Sequence, residues 1–235
     1  MTLKIVSCPS PNHDARPDGE AVDILVLHYT GMKTADEALA RLCDPQAKVS
    51  AHYTIGRDGR IFAHVPEERR AWHAGVSWWA GEKNVNGRSI GIELVNPGHE
   101  FGYIPFAQAQ IAALIDLVQG ILKRHPIPAH RVLGHSDVAP ARKEDPGELF
   151  PWAELAEFGI GLWPGLPRRN AEGAKEPTPQ DLARFGYGLP PHTDVPLESV
   201  IAAFQRHFRP GEINGRWDGE CAGALAALLS PKALN

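Results

Sequence analysis

The sequence has few cysteines, no excess of positive charge and no long apolar run. Its three cysteines, Cys8, Cys43 and Cys221, have no metal-like spacing and leave one unpaired in any pairing scheme. That argues against a disulfide framework and predicts buried thiols in a reducing compartment. A formal net charge of −4 over 235 residues, with no basic stripe, gives no field for gathering nucleic acid. The longest apolar runs, "ILVL" at 24–27 and "ALAALL" at 224–229, fall short of the roughly 20 residues a membrane span requires. At the start, "MTLKIVSCPSP" offers only Leu3, Ile5 and Val6 where a secretory leader needs an apolar core of about 7–15 residues. The expectation is a cytoplasmic chain, with the periplasm as the alternative if an export signal was removed. Internal repeats and low-complexity tracts are absent.

What is there is an ordinary soluble composition, 43% hydrophobic and 22% charged, long enough for one sizeable domain and a small one. "VDILVLHYT" (22–30) reads as a buried central strand ending at His28. "TADEALARLCD" (34–44) reads as a helix capped by Thr34 with Glu37 three residues on. Two strands around Asp58-Gly59 make a hairpin over 50–65. A strand over 88–98 precedes an amphipathic helix at 106–125, with apolar side chains at 111, 114, 115, 118, 121 and 122. A short strand, "RVLGH" (131–135), leads into a loop that closes a first domain of residues 1–160. Residues 161–180 are rich in proline, glycine and charge and read as a linker. Residues 181–235 carry two helical patterns and predict a small helical domain.

Polar residues stand out where the pattern expects apolar ones. His28 ends the most apolar run of the chain, as either a satisfied core imidazole or a ligand. In "SIGIELV" the alternation sets Ser89, Gly91 and Glu93 on one face, with small neighbours leaving space above the carboxylate, unless that face is simply wetted. The loop "LGHSDVAPARKEDPG" (133–147) then gathers His135, Lys143 and Asp145. His135 closes a strand as His28 does. Pro146 biases Asp145 to an extended conformation, in which Lys143, two residues earlier, points the same way. Two histidines and a carboxylate are the protein part of a catalytic zinc site, and equally of a non-haem Fe(II) site. With zinc, Glu93 would handle the proton and Lys143 would face a developing oxyanion, a set suited to amide hydrolysis.

Taken together and in this order, "LVLHYTG", "SAHYTIGRDGRI", "AWHAGVSWW", "SIGIELVNPG" and "GHSDVAPARKEDPG" resemble the type-2 N-acetylmuramoyl-L-alanine amidases, in particular their AmiD/AmpD branch, over about residues 20 to 155. The resemblance implies an α/β fold with a mixed central β-sheet flanked by helices, and Zn²⁺ held by His28, His135 and Asp145. It assigns the general base to Glu93 and transition-state stabilisation to Lys143. The implied substrates are muropeptides or peptidoglycan, cut between N-acetylmuramic acid and L-alanine, with recycled and 1,6-anhydro forms favoured for a cytoplasmic enzyme. The alternatives are an exported enzyme acting on intact wall, or a recognition protein on the same fold without catalysis. Trp72, His73, Trp78 and Trp79 resemble the loop beside the groove. Residues 181–235 resemble a small peptidoglycan-binding helical module. Arg88, at the start of the Glu93 strand, is expected either to clamp a stem-peptide carboxylate or to sit in solvent. No obligate protein partner is implied.

Overall fold

A computed structural model describes residues 4–165 and 176–230. It divides into two compact units, Met1–Gly75 with Asn84–Ile127, and Val76–Lys83 with Pro128–Asn235. Within the expected linker, residues 166–175 lie outside the described residues.

The first unit is built in chain order from β1 (Ile5–Ser7), β2 (His13–Ala15), β3 (Ile24–Tyr29), α1 (Ala35–Cys43), β4 (Tyr53–Ile55), β5 (Ile61–Ala63), β6 (Arg69–Ala71), α2 (Val85–Arg88), β7 (Ser89–Leu94), α3 (Gly98–Phe101) and α4 (Gln108–Arg124). Five of its strands follow the sheet order β1-β5-β4-β7-β3, while β2 pairs with β6 apart from them. β3 and β4 both run parallel to β7, and β5 runs antiparallel to β4, so the sheet is mixed as expected. The uninterrupted apolar run of β3 suits a parallel strand covered on both faces: Leu25, Val26 and Leu27 are fully buried.

Local chemistry fixes these elements. Thr34 Oγ1 accepts from the Glu37 N–H at 3.1 Å and Glu37 Oε2 accepts from the Thr34 N–H at 3.1 Å, closing the capping box at the start of α1. Between β4 and β5 the chain turns at Gly59, whose φ of +82° suits glycine. α4 buries Ile111, Leu114, Ile115, Val118 and Ile121, each worth roughly 1.5–3 kcal/mol. Gln110 Nε2 donates to the Ile55 and Val95 carbonyls at 2.8 and 3.2 Å, tying the first turn of α4 to the ends of β4 and β7.

The second unit holds β8 (Val132–Gly134), α5 (His135–Val138), α6 (Trp152–Glu157), α7 (Leu182–Phe185), α8 (Leu197–Phe208) and α9 (Gly219–Leu228). His135 does not close a strand; it begins the single helical turn α5. An aromatic core runs through this unit. Trp79 meets Tyr187 and Phe185 edge-on at 5.0 and 5.8 Å, and Trp152 stacks on His207 at 3.7 Å.

Candidate functional site

In the first unit the strand register does the positioning. His28 and Glu93 are partners across the parallel β3–β7 pair, and Thr54 of β4 is the partner of Glu93 on its other side. Residues in register on neighbouring strands project to the same face, so the imidazole and the carboxylate share one side of the sheet. His28 is 1% exposed, and Glu93 is half-buried.

The space expected above the Glu93 face is occupied. His73 lies over Gly91, where an added Cβ would stand 2.4 Å from the imidazole ring, so only glycine fits. His73 Nδ1 is 3.1 Å from His28 Nε2, and its Nε2 is 3.1 Å from Ser89 Oγ. His73, expected beside the groove, is thus packed against His28. It is 8% exposed and braces the ring of His28, because the small side chains at 89 and 91 make room for it.

His52 supports the same strand. The Gly91 N–H donates to His52 Nδ1 at 2.9 Å, so the proton sits on Nε2 and is donated to the Arg69 carbonyl at 3.1 Å. Burial, and then the charge of Arg16, hold His52 as the neutral imidazole, with its pKa lowered to about 3.

In the second unit the positioning comes from a folded loop. His135 Nδ1–H donates to Asp145 Oδ2 at 3.1 Å, and the Ser136 N–H donates to the Asp145 carbonyl at 2.9 Å. Both side chains are buried, at 4% and 8% exposure. Gly134 permits the fold-back, since an added Cβ would meet Pro146 Cδ at 2.7 Å. Lys143 is not on an extended segment as expected. Its N–H donates to the Ala139 carbonyl at 3.0 Å, a helical turn that follows α5 directly, and its side chain is half-buried.

Beneath this loop lies a residue that sequence reasoning missed. Asp137, 1% exposed, accepts from the Gly134 N–H at 2.7 Å, from the Tyr187 hydroxyl at 2.6 Å and from His207 Nδ1–H at 2.7 Å. Burial, and then the Asp137 carboxylate beside it, keep Tyr187 in the phenol form. The available signal was an aspartate two residues past His135 together with a histidine on the buried face of an amphipathic helix.

Trp79 and Arg88 lie elsewhere than beside an open groove. Trp79 is 1% exposed inside the aromatic core and is not a groove side chain; Gly186 lets it in, since a Cβ there would meet its ring at 2.6 Å. Arg88 ends α2, and its guanidinium forms a bidentate pair with Asp23, one contact of which, from Nε, is 3.0 Å. The guanidinium is thus engaged by Asp23 in this structure, at 29% side-chain exposure. Trp72 and Trp78 are half-buried. The Trp72 N–H donates to Ser50 Oγ, and the Trp78 ring stacks on His192 at 6.0 Å.

The sequence profile of the family described as N-acetylmuramoyl-L-alanine amidase matches residues 18–148. The chain is 43% identical over 230 residues to N-acetylmuramoyl-L-alanine amidase AmiD of Escherichia coli K12, covering 88% of this chain and 82% of AmiD. It is 37% identical over 164 residues to 1,6-anhydro-N-acetylmuramyl-L-alanine amidase AmpD of Enterobacter cloacae, covering 63% of this chain and 86% of AmpD. Among solved structures, that of E. coli AmiD with the substrate anhydro-N-acetylmuramic acid-L-Ala-D-gamma-Glu-L-Lys superposes with a TM-score of 0.80 at 40% identity, covering 94% of both chains.

Proposed function

Because the chain belongs to the N-acetylmuramoyl-L-alanine amidase family, we propose that it hydrolyses the amide between N-acetylmuramic acid and L-alanine of stem peptides, on muropeptides that include 1,6-anhydro forms. The substrate class rests on its relatives, one of which is named for anhydro sugars and another of which was solved with an anhydromuramoyl tripeptide.

His28, His135 and Asp145, all buried, are the proposed ligands of zinc. The donor chemistry fits: two imidazole nitrogens and a carboxylate oxygen are the protein share of a catalytic zinc site. The His73 contact at Nε2 of His28 holds the ring in place, as an outer partner of a ligand histidine would. When bound, zinc lowers the pKa of a coordinated water towards ~7 and polarises the scissile carbonyl. Glu93 takes the proton of the attacking water and hands it to the departing amine of L-alanine. The Lys143 ammonium faces the oxyanion of the tetrahedral stage. The observation that supports this reading is the β3–β7 register, in which His28 and Glu93 are partners on one face of the sheet.

Residues 181–235 are proposed as a peptidoglycan-binding module that also steadies the ligand loop through Tyr187 and His207. A cytoplasmic enzyme would meet soluble recycled muropeptides and a periplasmic one the sacculus, so the two substrates are assayed side by side, with products identified by mass spectrometry.

The roles separate by mutation. His135→Ala is expected to lose both bound zinc and activity, whereas Glu93→Ala keeps zinc and loses roughly 10²–10⁴ in rate. Full activity in His135→Ala without bound metal would overturn the mechanism, and loss of zinc in Glu93→Ala would make that residue a ligand.

A further inference from the structure

Cys8 and Cys43 are 35 positions apart in sequence, yet their sulfurs lie 3.5 Å from each other. The backbone on both sides of the pair is fixed. The Cys8 N–H donates to the Ala63 carbonyl at 2.9 Å, Ser10 Oγ donates to the Leu42 carbonyl at 2.5 Å, and Asn12 Nδ2 donates to the Asp44 carbonyl at 2.8 Å. The segment after β1 is thus laced to the last turn of α1 at residues flanking both thiols. Both cysteines are half-buried rather than buried as the sequence suggested, while Cys221 is buried in the other unit.

A third donor stands close, since His64 Nδ1 is 3.8 Å from Cys43 Sγ, and the three residues form a group of metal-ligand type. The imidazole is already committed. A carbonyl oxygen only accepts, so the 2.7 Å contact between His64 Nδ1 and the Cys8 oxygen makes Nδ1 the protonated nitrogen. His64 Nε2 then accepts from the Thr54 hydroxyl at 2.9 Å. Burial lowers the pKa of His64, in keeping with this neutral tautomer. With both ring nitrogens engaged, what remains is a dithiol.

We infer that Cys8 and Cys43 form a reversible disulfide that staples the edge strand β1 to α1 by exchange with a low-molecular-weight disulfide such as oxidised glutathione. In the first step the Cys8 thiolate attacks one sulfur of the small disulfide. A protein–glutathione bond forms, the small S–S bond breaks and one glutathione thiolate leaves. In the second step the Cys43 thiolate attacks Cys8 Sγ, forming the internal bond and expelling the second thiolate. The protein loses two protons and two electrons, and one small disulfide becomes two thiols. The order follows from the surroundings: burial, and then neighbouring Cys8, push the Cys43 thiol up to about 11, which suits it to the second, intramolecular step. β1 is exposed along its whole length and is the edge of the sheet, paired on one side only, with β5, so it is the segment a covalent staple would hold.

The full chain is incubated with oxidised glutathione or with dithiothreitol, denatured, alkylated and weighed. After oxidation we expect one alkylated thiol, a loss of two hydrogens, a Cys8–Cys43 cross-linked peptide and a higher thermal midpoint than under dithiothreitol. Cys43→Ser should accumulate a glutathione adduct on Cys8, and Cys8→Ser should form no cross-link. Both should keep amidase activity, since neither cysteine is in the catalytic set. Three alkylated thiols in the oxidised wild type, or a cross-link through Cys221, would overturn the inference. So would a second zinc equivalent under reducing conditions that Cys43→Ser abolishes, which would instead make the cluster a metal site.

Discussion

His28 and Glu93 lie on neighbouring strands and owe their common face to a backbone ladder, whereas His135 opens a single helical turn and Asp145 follows ten residues on, with no ladder joining them. The strand pair is held by repeated main-chain bonds, with His73 and His52 packed around Gly91. The loop is held by side chains from far along the sequence, Tyr187 and His207, converging on Asp137. Removing one side chain from a ladder leaves the ladder in place. Removing the hub of a buried polar network leaves several groups without partners at once.

The largest expected effect is therefore on the loop side. Asp137→Ala would strand the Tyr187 hydroxyl, the His207 imidazole and the Gly134 N–H in a site that is 1% exposed. Breaking a buried pair by removing one partner costs about 3–5 kcal/mol. Urea unfolding should show a loss of that size, and zinc content should fall with it because Gly134 precedes His135. Stability within about 0.5 kcal/mol of wild type, the range of an unremarkable surface change, would mean that the hub does not hold the loop.

On the strand side the expected effect is smaller and shows in the metal rather than the fold. His73→Ala removes the partner of His28 Nε2 and should weaken zinc binding by roughly 10–100-fold, as loss of a ligand's outer partner does. His73→Gln, which keeps a donor and an acceptor, should recover part of the loss in a competition titration against a chelator. Equal weakening in both variants would return His73 to a space-filling role over Gly91.

The same contrast explains what the sequence could disclose. β3, the α1 capping box, the hairpin and α4 are written in local patterns of two kinds, apolar periodicity and turn or cap residues, and each formed where its pattern lies. The shared face of His28 and Glu93 follows from period-two alternation once the strands pair. Nothing local announces that His207, on a helix some seventy residues later, closes onto Asp137. His135 and Lys143 were misread for a related reason. A run interrupted by prolines looks extended, yet the carbonyls of His135 and Ala139 accept helical-type bonds from Ala139, Arg142 and Lys143. The Cys8–Cys43 approach is likewise invisible in spacing, because it depends on β1 and α1 both packing beside the end of β5.

Arg88 gives the smallest expected effect and the sharpest test of how far the strand side reaches. As the last residue of α2 it precedes β7 directly, so a role in gripping a third-residue carboxylate would need its guanidinium to point along the substrate. Instead Nε and Nη2 both engage Asp23, whose own N–H donates to the Arg88 carbonyl at 3.0 Å, so that side chain and backbone together tie the start of β7 to the start of β3. The two side chains are 29% and 21% exposed, which puts the pair among partly solvated ion pairs worth up to about 1 kcal/mol. Arg88→Ala should lower unfolding free energy by about that amount and leave KM for an anhydromuramoyl tripeptide unchanged. A hydrogen bond from a guanidinium to a substrate carboxylate would instead be worth about 1.5–3 kcal/mol. Its loss would raise KM for the tripeptide by roughly 10-fold or more while sparing a muramoyl dipeptide that lacks the third residue. That selective rise, with stability unaltered, would show that Arg88 releases Asp23 to grip substrate and that the strand side of the molecule binds as well as positions.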